Sequence, residues 1–186
     1  MARMTVHAAG SMTAEELLAL NLPNKRTELV RGRLMVREPA GYEHGRVAAE
    51  ILVRVAMHVR LHGLGTVLAA ETGFTLQRRP DTVRAPDVAY LRADRAPAPG
   101  TRGFPELAPD LAVEVRSPDD SRRELAEKVA DWLAAGTRLV WVVDPRPRTL
   151  VVHEAGQAPR TLGEDDTLTG GDVLPGFSVV VRELLG

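Results

Sequence analysis

The chain has no cysteine, which excludes disulfide scaffolds, zinc ribbons, iron–sulfur clusters and thiol nucleophiles. Aromatic residues make up only 4% of it, too few for a protein that stacks successive bases of a single strand on exposed rings. Neither charge sign is in excess. With 24 basic and 25 acidic residues the formal charge is -1, which excludes histone-like wrapping of nucleic acid but not a local basic cleft. The longest apolar runs are five residues, as in Leu139–Val143, against the ~20 needed to span a bilayer. The first twenty residues hold no apolar signal core, and Glu15 and Glu16 fit a transit peptide poorly. The expectation is a cytoplasmic protein with no membrane partner. Asn and Gln are scarce (Asn21, Asn24, Gln77, Gln157), as in thermophiles. Lysine is scarcer still for a charged protein: Lys25 and Lys128 stand against 22 arginines, a bias that a GC-rich genome also produces.

What is present is ordinary for a soluble globular chain. At 186 residues, 44% hydrophobic and 26% charged, a single domain over 1–186 with a proper core is expected. Thr13-Ala-Glu-Glu16 is a capping box that opens a short helix, and Pro23 closes it. Glu28–Val36 reads as a hairpin turning at Arg31-Gly32. From His44 to about His62 the apolar residues Val47, Ile51, Val55 and Val59 recur at helical spacing, stopped by Gly63. Extended stretches follow at Thr66–Ala70, Thr72–Gln77 and Ala85–Leu91, then a long proline-rich connection over Ala93–Asp110. Asp110–Ser117 alternates, with Leu111, Val113 and Val115 facing a core and Ala112, Glu114 and Arg116 facing something polar. A second capping box at Ser121–Glu124 opens a helix to Ala135, and Arg138–Asp144 reads as a strand buried on both faces. Leu150–Glu154 and Phe177–Val181 add strands. There is no internal repeat, and the pattern is that of a mixed α/β domain.

No phosphate-binding GxxxxGK[ST] loop or GxSxG elbow occurs, Gly63-Leu-Gly65 is too short for a dinucleotide fingerprint, and His58 and His62 lack the glutamate of HExxH. No nucleotide cofactor is expected. The unusual residues are acids in apolar stretches. Asp87 sits in Ala85–Leu91, where it is either satisfied by a neighbouring amide or held for a metal. Glu114, between Val113 and Val115, either pairs with Arg116 on its own strand or joins Asp87 around an oxygen-liganded Mg²⁺. Lys128 lies on the shoulder of the helical stripe Leu125, Val129, Trp132. There it either snorkels or supplies an ammonium that arginine cannot replace.

Together, Pro86-Asp87, then Glu114-Val-Arg116 27 residues on, then Lys128, resemble the PD-(D/E)xK nuclease motif. The surrounding stretches are similar to the Uma-two family of restriction endonucleases within that superfamily. They are Thr27–Leu34, His44, Arg84–Val88, Leu111–Pro118, Glu127–Val129, Trp141–Pro145 and Leu174–Ser178. The resemblance implies a restriction-endonuclease-like α/β fold: a mixed central sheet flanked by helices, with an N-terminal hairpin extension. It implies an endonuclease dependent on Mg²⁺ or Mn²⁺ that hydrolyses DNA phosphodiester bonds, acting as a homodimer on duplexes. Asp87 and Glu114 would hold the ion, with a backbone carbonyl near Val115, and Lys128 would orient or deprotonate the attacking water. Arg116 stands where the superfamily motif has lysine, and Lys128 fits a position to which that lysine has migrated. Glu28 and His44 are further candidates. Glu28 is either a site acid or a surface acid paired with Arg31 or Arg33, and His44 a core histidine or a phosphate contact. Asp144 ends a strand. Arg78, Arg79, Arg84 and Arg122 are candidate backbone contacts, and the proline-rich connection a candidate clamp. The competing expectation is a nuclease-fold module that binds DNA or a protein without useful cleavage.

Overall fold

The computed structural model describes Thr5–Val6 and residues 11–186. In chain order the elements are β1 (Thr5–Val6), α1 (Ala14–Ala19), β2 (Arg26–Val30), β3 (Arg33–Arg37), α2 (Tyr42–His62), β4 (Gly65–Ala69), β5 (Phe74–Gln77) and β6 (Thr82–Arg84). They continue with β7 (Val88–Arg92), β8 (Leu111–Val115), α3 (Arg122–Ala134), β9 (Leu139–Asp144), β10 (Thr149–Glu154), β11 (Arg160–Leu162), β12 (Thr167–Gly170), β13 (Leu174–Val180) and α4 (Val181–Leu185). No described helix is long and apolar enough to cross a membrane.

The central sheet has the order β11-β10-β9-β8-β7-β4. It is mixed: β8 and β9 run parallel, joined by α3 as a parallel pair requires, and its other pairs are antiparallel. Period-two alternation sends its side chains to two cores. Val88, Val113 and Trp141 meet Val47, Ile51, Val55 and Val59 of α2 on one face, joined by the β12–β13 hairpin and α4. Ala89, Ala112, Val140 and Val142 meet Val129 and Trp132 of α3 on the other. Each fully buried valine or isoleucine of α2 contributes about 1.5–3 kcal/mol. The helix ends where Gly63 adopts left-handed geometry, φ 63°.

This is the restriction-endonuclease-like fold, with three differences of detail. The N-terminal hairpin is not an appendage: β2 and β3 belong to a second sheet of order β1-β3-β2-β6-β5, capped by Ala14 and Leu17 of α1 over Leu29, Leu34 and Val83. Nor is Ala85–Leu91 one strand. β6 pairs with β2 and β5 in the second sheet, whereas β7 lies in the central one, so Ala85-Pro86-Asp87 carries the chain from sheet to sheet. Pro86, without an N–H, suits such a break in the ladder. The second face of β8 is also closed rather than wet: Ala112 and Glu114 are both buried, beneath α3. β11, β12 and α4 are short elements with no clear sequence period, and sequence reading passes over them.

Candidate active site

Three carboxylates from three places in the fold meet one ammonium. Glu28 points inward from β2, Asp87 stands at the sheet-to-sheet crossing, Glu114 projects from β8, and all three are buried. Lys128 of α3 donates to Glu114 Oε2 at 2.8 Å, and its Nζ lies 3.2 Å from Glu28 Oε1. One turn on, at i+4 and therefore on the same helix face, the Trp132 indole N–H donates to Glu114 Oε1 at 2.9 Å. Both oxygens of Glu114 are thus gripped by one face of α3. Glu28 also accepts from the Ala85 N–H (3.1 Å) and from Arg84 Nη1 (3.0 Å). Arg84, itself buried, reaches on to Asp131 Oδ2 at 2.5 Å.

Asp87 is held by backbone and imidazole. Its N–H donates to the Val113 carbonyl, its Oδ2 accepts from the Val115 N–H at 2.7 Å, and His44 Nε2 lies 3.1 Å from the same oxygen. Arg26 Nη1 stands 3.8 Å from Oδ1. His44 is therefore the partner of Asp87, placed there by the first turn of α2.

Burial pushes the Glu114 carboxyl up; Lys128 opposes this, while the charges of Asp87 and Glu28 add to it. The Lys128 ammonium is pushed the other way from what burial alone would do: Glu114, Glu28 and Asp87 raise it above its ordinary value. Burial would likewise raise Glu28, but Lys128, Arg84 and the Ala85 N–H outweigh it and hold the carboxyl at about 2 against an ordinary 4.5. A depressed acid stabilises the fold above its unfolded value and loses that contribution as pH falls through the folded one. Glu28 is therefore expected to contribute about 3 kcal/mol at neutral pH that fades between pH 4.5 and about 2. Denaturant titrations should show Glu28→Gln losing less stability than the wild type over that range. Parallel acid profiles would refute it.

Several expectations change. Arg116 does not pair with Glu114; its Nη1 binds Asp144 Oδ2 at 2.5 Å, so Asp144 anchors an arginine besides ending β9. Glu28 pairs with neither Arg31 nor Arg33, because its side chain turns to the core and theirs do not. Arg84 cannot be a backbone clamp, being sealed between Glu28 and Asp131. Arg78 is tied to Glu15, Asp81 and Glu106 at the far edge of the second sheet, and Arg79 and Arg122 are exposed away from the acids' pockets. The proline-rich connection is packed down, with Phe104 and Leu107 in two of the cores, and lines none of the pockets opening on Asp87. Sequence reading missed Trp132 as a donor, although its i+4 relation to Lys128 was visible. It also missed Arg26, Arg37 and Glu71. Glu71 is an exposed residue in left-handed backbone (φ 69°) whose carboxyl is pushed up by partial desolvation, then by Asp87 and Glu28, against Arg26.

Three pockets surround Asp87. Two are small polar voids of about 30 Å³ each. One is lined by Arg26, Arg37, His44, Asp87, Glu114 and Lys128, and the other reaches Glu28 and Glu71. The third is a larger chamber of about 440 Å³. Among the described residues no three His, Asp or Glu groups form a ready-made cation cluster. The donor set nevertheless suits a hard divalent cation. Among the described residues Asp87 Oδ1 accepts no hydrogen bond, each Glu114 oxygen accepts one and keeps a lone pair, and a 30 Å³ void admits one water or one small ion.

These features have parallels among known proteins. A solved structure described as "a putative nuclease belonging to DUF820", from Anabaena variabilis ATCC 29413, is similar with a TM-score of 0.82 at 21% identity, covering 94% of this chain and 97% of that one. That likeness establishes the fold. No curated protein matches. The profile of the family Uma2, described as "Putative restriction endonuclease", matches residues 14–182, a span that takes in Glu28, His44, Asp87, Glu114 and Lys128 alike. With nearly its whole length accounted for and its buried acids inside that span, the chain belongs to the Uma2 family.

Proposed function

We propose that this protein is an endonuclease that hydrolyses DNA phosphodiester bonds with Mg²⁺ or Mn²⁺. The observation that carries the reading is the convergence of Asp87, Glu114 and Lys128 on one small polar void. Asp87 and Glu114 would hold the ion, which when bound would polarise the phosphate and acidify a water. Glu28 keeps Lys128 charged and in place. A lysine held protonated by two carboxylates is a donor, not a base, so Lys128 orients the attacking water or steadies the phosphate charge rather than removing a proton. In the reaction one P–O bond forms to the water oxygen and one ester P–O bond breaks. Arg26, partly exposed at the mouth, is placed to meet a non-bridging oxygen. His44 positions Asp87. Duplex cleavage would take two such sites, and so a homodimer.

One observation favours a second reading, a module that binds DNA or a protein without cutting: Lys128 already satisfies both Glu114 and Glu28. The two readings part in a single assay on plasmid, single-stranded and branched DNA in EDTA, Mg²⁺ or Mn²⁺. The nuclease reading expects nicking with either metal, none in EDTA, and loss in Asp87→Ala. DNA binding with no cleavage by the wild type would replace it with the binding module.

A further inference from the structure

The large chamber beside Asp87 is of a different character from the polar voids. It shares Arg26, His44 and Asp87 with one of the smaller voids, so the two adjoin at those side chains. Its walls are largely apolar, with Pro39, Ala48, Ala49, Leu52, Ala69 and Ala70, while Lys25 and Arg26 add two cations to the lining. A phosphate would find partners at those two residues and would be desolvated against the alanines and Leu52. At the rim stand two polar side chains, Asn24 and Glu71, that no hydrogen bond among the described residues engages. Glu71 holds a left-handed backbone conformation costly to a residue of its kind, the sort of strain that collects at ligand sites.

Gly45 adds an independent observation. It lies inside the first turns of α2, where glycine costs about 0.5–1 kcal/mol relative to alanine. Its backbone is not left-handed, and a Cβ built there would meet no atom within 4 Å. Nothing in the protein requires the small residue. A ligand in the chamber, which Gly45 lines, would.

We infer that the chamber receives one unpaired nucleobase of the DNA, next to the phosphate held at Asp87, with Asn24 and Glu71 facing its polar edge. A heterocycle with apolar faces and a hydrogen-bonding rim matches walls of alanine and leucine with polar groups at the mouth, and the volume is that of a small-ligand pocket. A paired base has its Watson–Crick edge engaged and its faces stacked, and it cannot enter a pocket without being extruded, so the substrate is DNA with an unpaired or easily extruded nucleotide. The scarcity of aromatic residues is no obstacle, because the base would lie against aliphatic side chains rather than stack on rings.

The inference rests on the nuclease reading for its DNA ligand, and its test uses binding rather than cleavage. Oligonucleotides carrying 2-aminopurine, either in a single-nucleotide bulge or fully paired, are mixed with the protein in Ca²⁺. Anisotropy reads binding, and 2-aminopurine emission reads the surroundings of the base. The bulged duplex is expected to bind with a several-fold rise in emission, since the chamber walls hold no aromatic ring to quench it. Gly45→Leu places a side chain in the chamber while improving helix propensity, so it should melt no lower than the wild type. It should abolish the rise and weaken bulge binding about tenfold. Binding of bulged DNA with no emission change, or with a rise that Gly45→Leu retains, overturns the inference and leaves the nuclease reading standing. Absence of any DNA binding overturns both.

Discussion

Lys128→Met is expected to slow DNA cleavage about 10²- to 10³-fold, the usual cost of removing one preorganised donor from a charged transition state. The same replacement should destabilise the protein by about 3–5 kcal/mol, because it leaves Glu28 and Glu114 buried together with their shared cation gone. The sign of the pH response separates this from simple loss of packing. Without the ammonium both carboxyls move upward, and a raised acid costs stability as pH climbs through its folded value. The deficit should therefore be present already near pH 5, grow toward pH 8 and shrink as pH falls below about 4.5. Lys128→Arg restores the charge but carries a planar fork in place of a point charge. It should recover part of the stability and little of the rate. Single-turnover cleavage and denaturant unfolding measured on the same preparations would decide the matter; a methionine variant that cuts at the wild-type rate would remove Lys128 from the chemistry.

Arg84→Met is the second large effect. Arg84 is buried and binds Glu28 and Asp131 at once; Glu28 would keep Lys128 and the Ala85 N–H, and Asp131 would keep Arg31, so losing Arg84 should cost about 3 kcal/mol. Adding Glu28→Gln should return part of that loss, since one buried charge that has lost a partner disappears. The opposite result is equally informative. If Arg84 were a contact to the DNA backbone, Arg84→Met would leave the melting temperature unchanged and weaken DNA binding uniformly across sequences.

The residues that sequence reading found share a visible anomaly. Asp87 and Glu114 are acids in apolar stretches, and Lys128 is one of two lysines among 22 arginines. Arg84 shows the limit of such reading: an arginine beside Pro86-Asp87 looks the same whether it meets a phosphate or a buried glutamate, and only the tertiary pairing of β6 with β2 decides. Glu28 was half legible for the same reason. Its neighbours in the hairpin are arginines, but those point away, and its true partners lie 56 and 100 residues further along the chain. Gly45 and Glu71 carried no local signal, because the chamber they border is assembled from distant parts of the chain. The helices and central strands were legible through their periods. β6 was not: its three residues are too short to show a period and fall between the stretches Thr72–Gln77 and Ala85–Leu91.

The crossing at Ala85-Pro86-Asp87 has a mechanical consequence. Glu28 belongs to one sheet, Glu114 to the other, and Asp87 to the few residues that tie them, so the charged cluster is also the fastening between two layers of the protein. Such a molecule has no inert frame that outlasts its own disarming. Whatever prises the layers apart, whether heat, a wedge-like inhibitor or a partner bound at the seam, separates the acids before it touches the DNA.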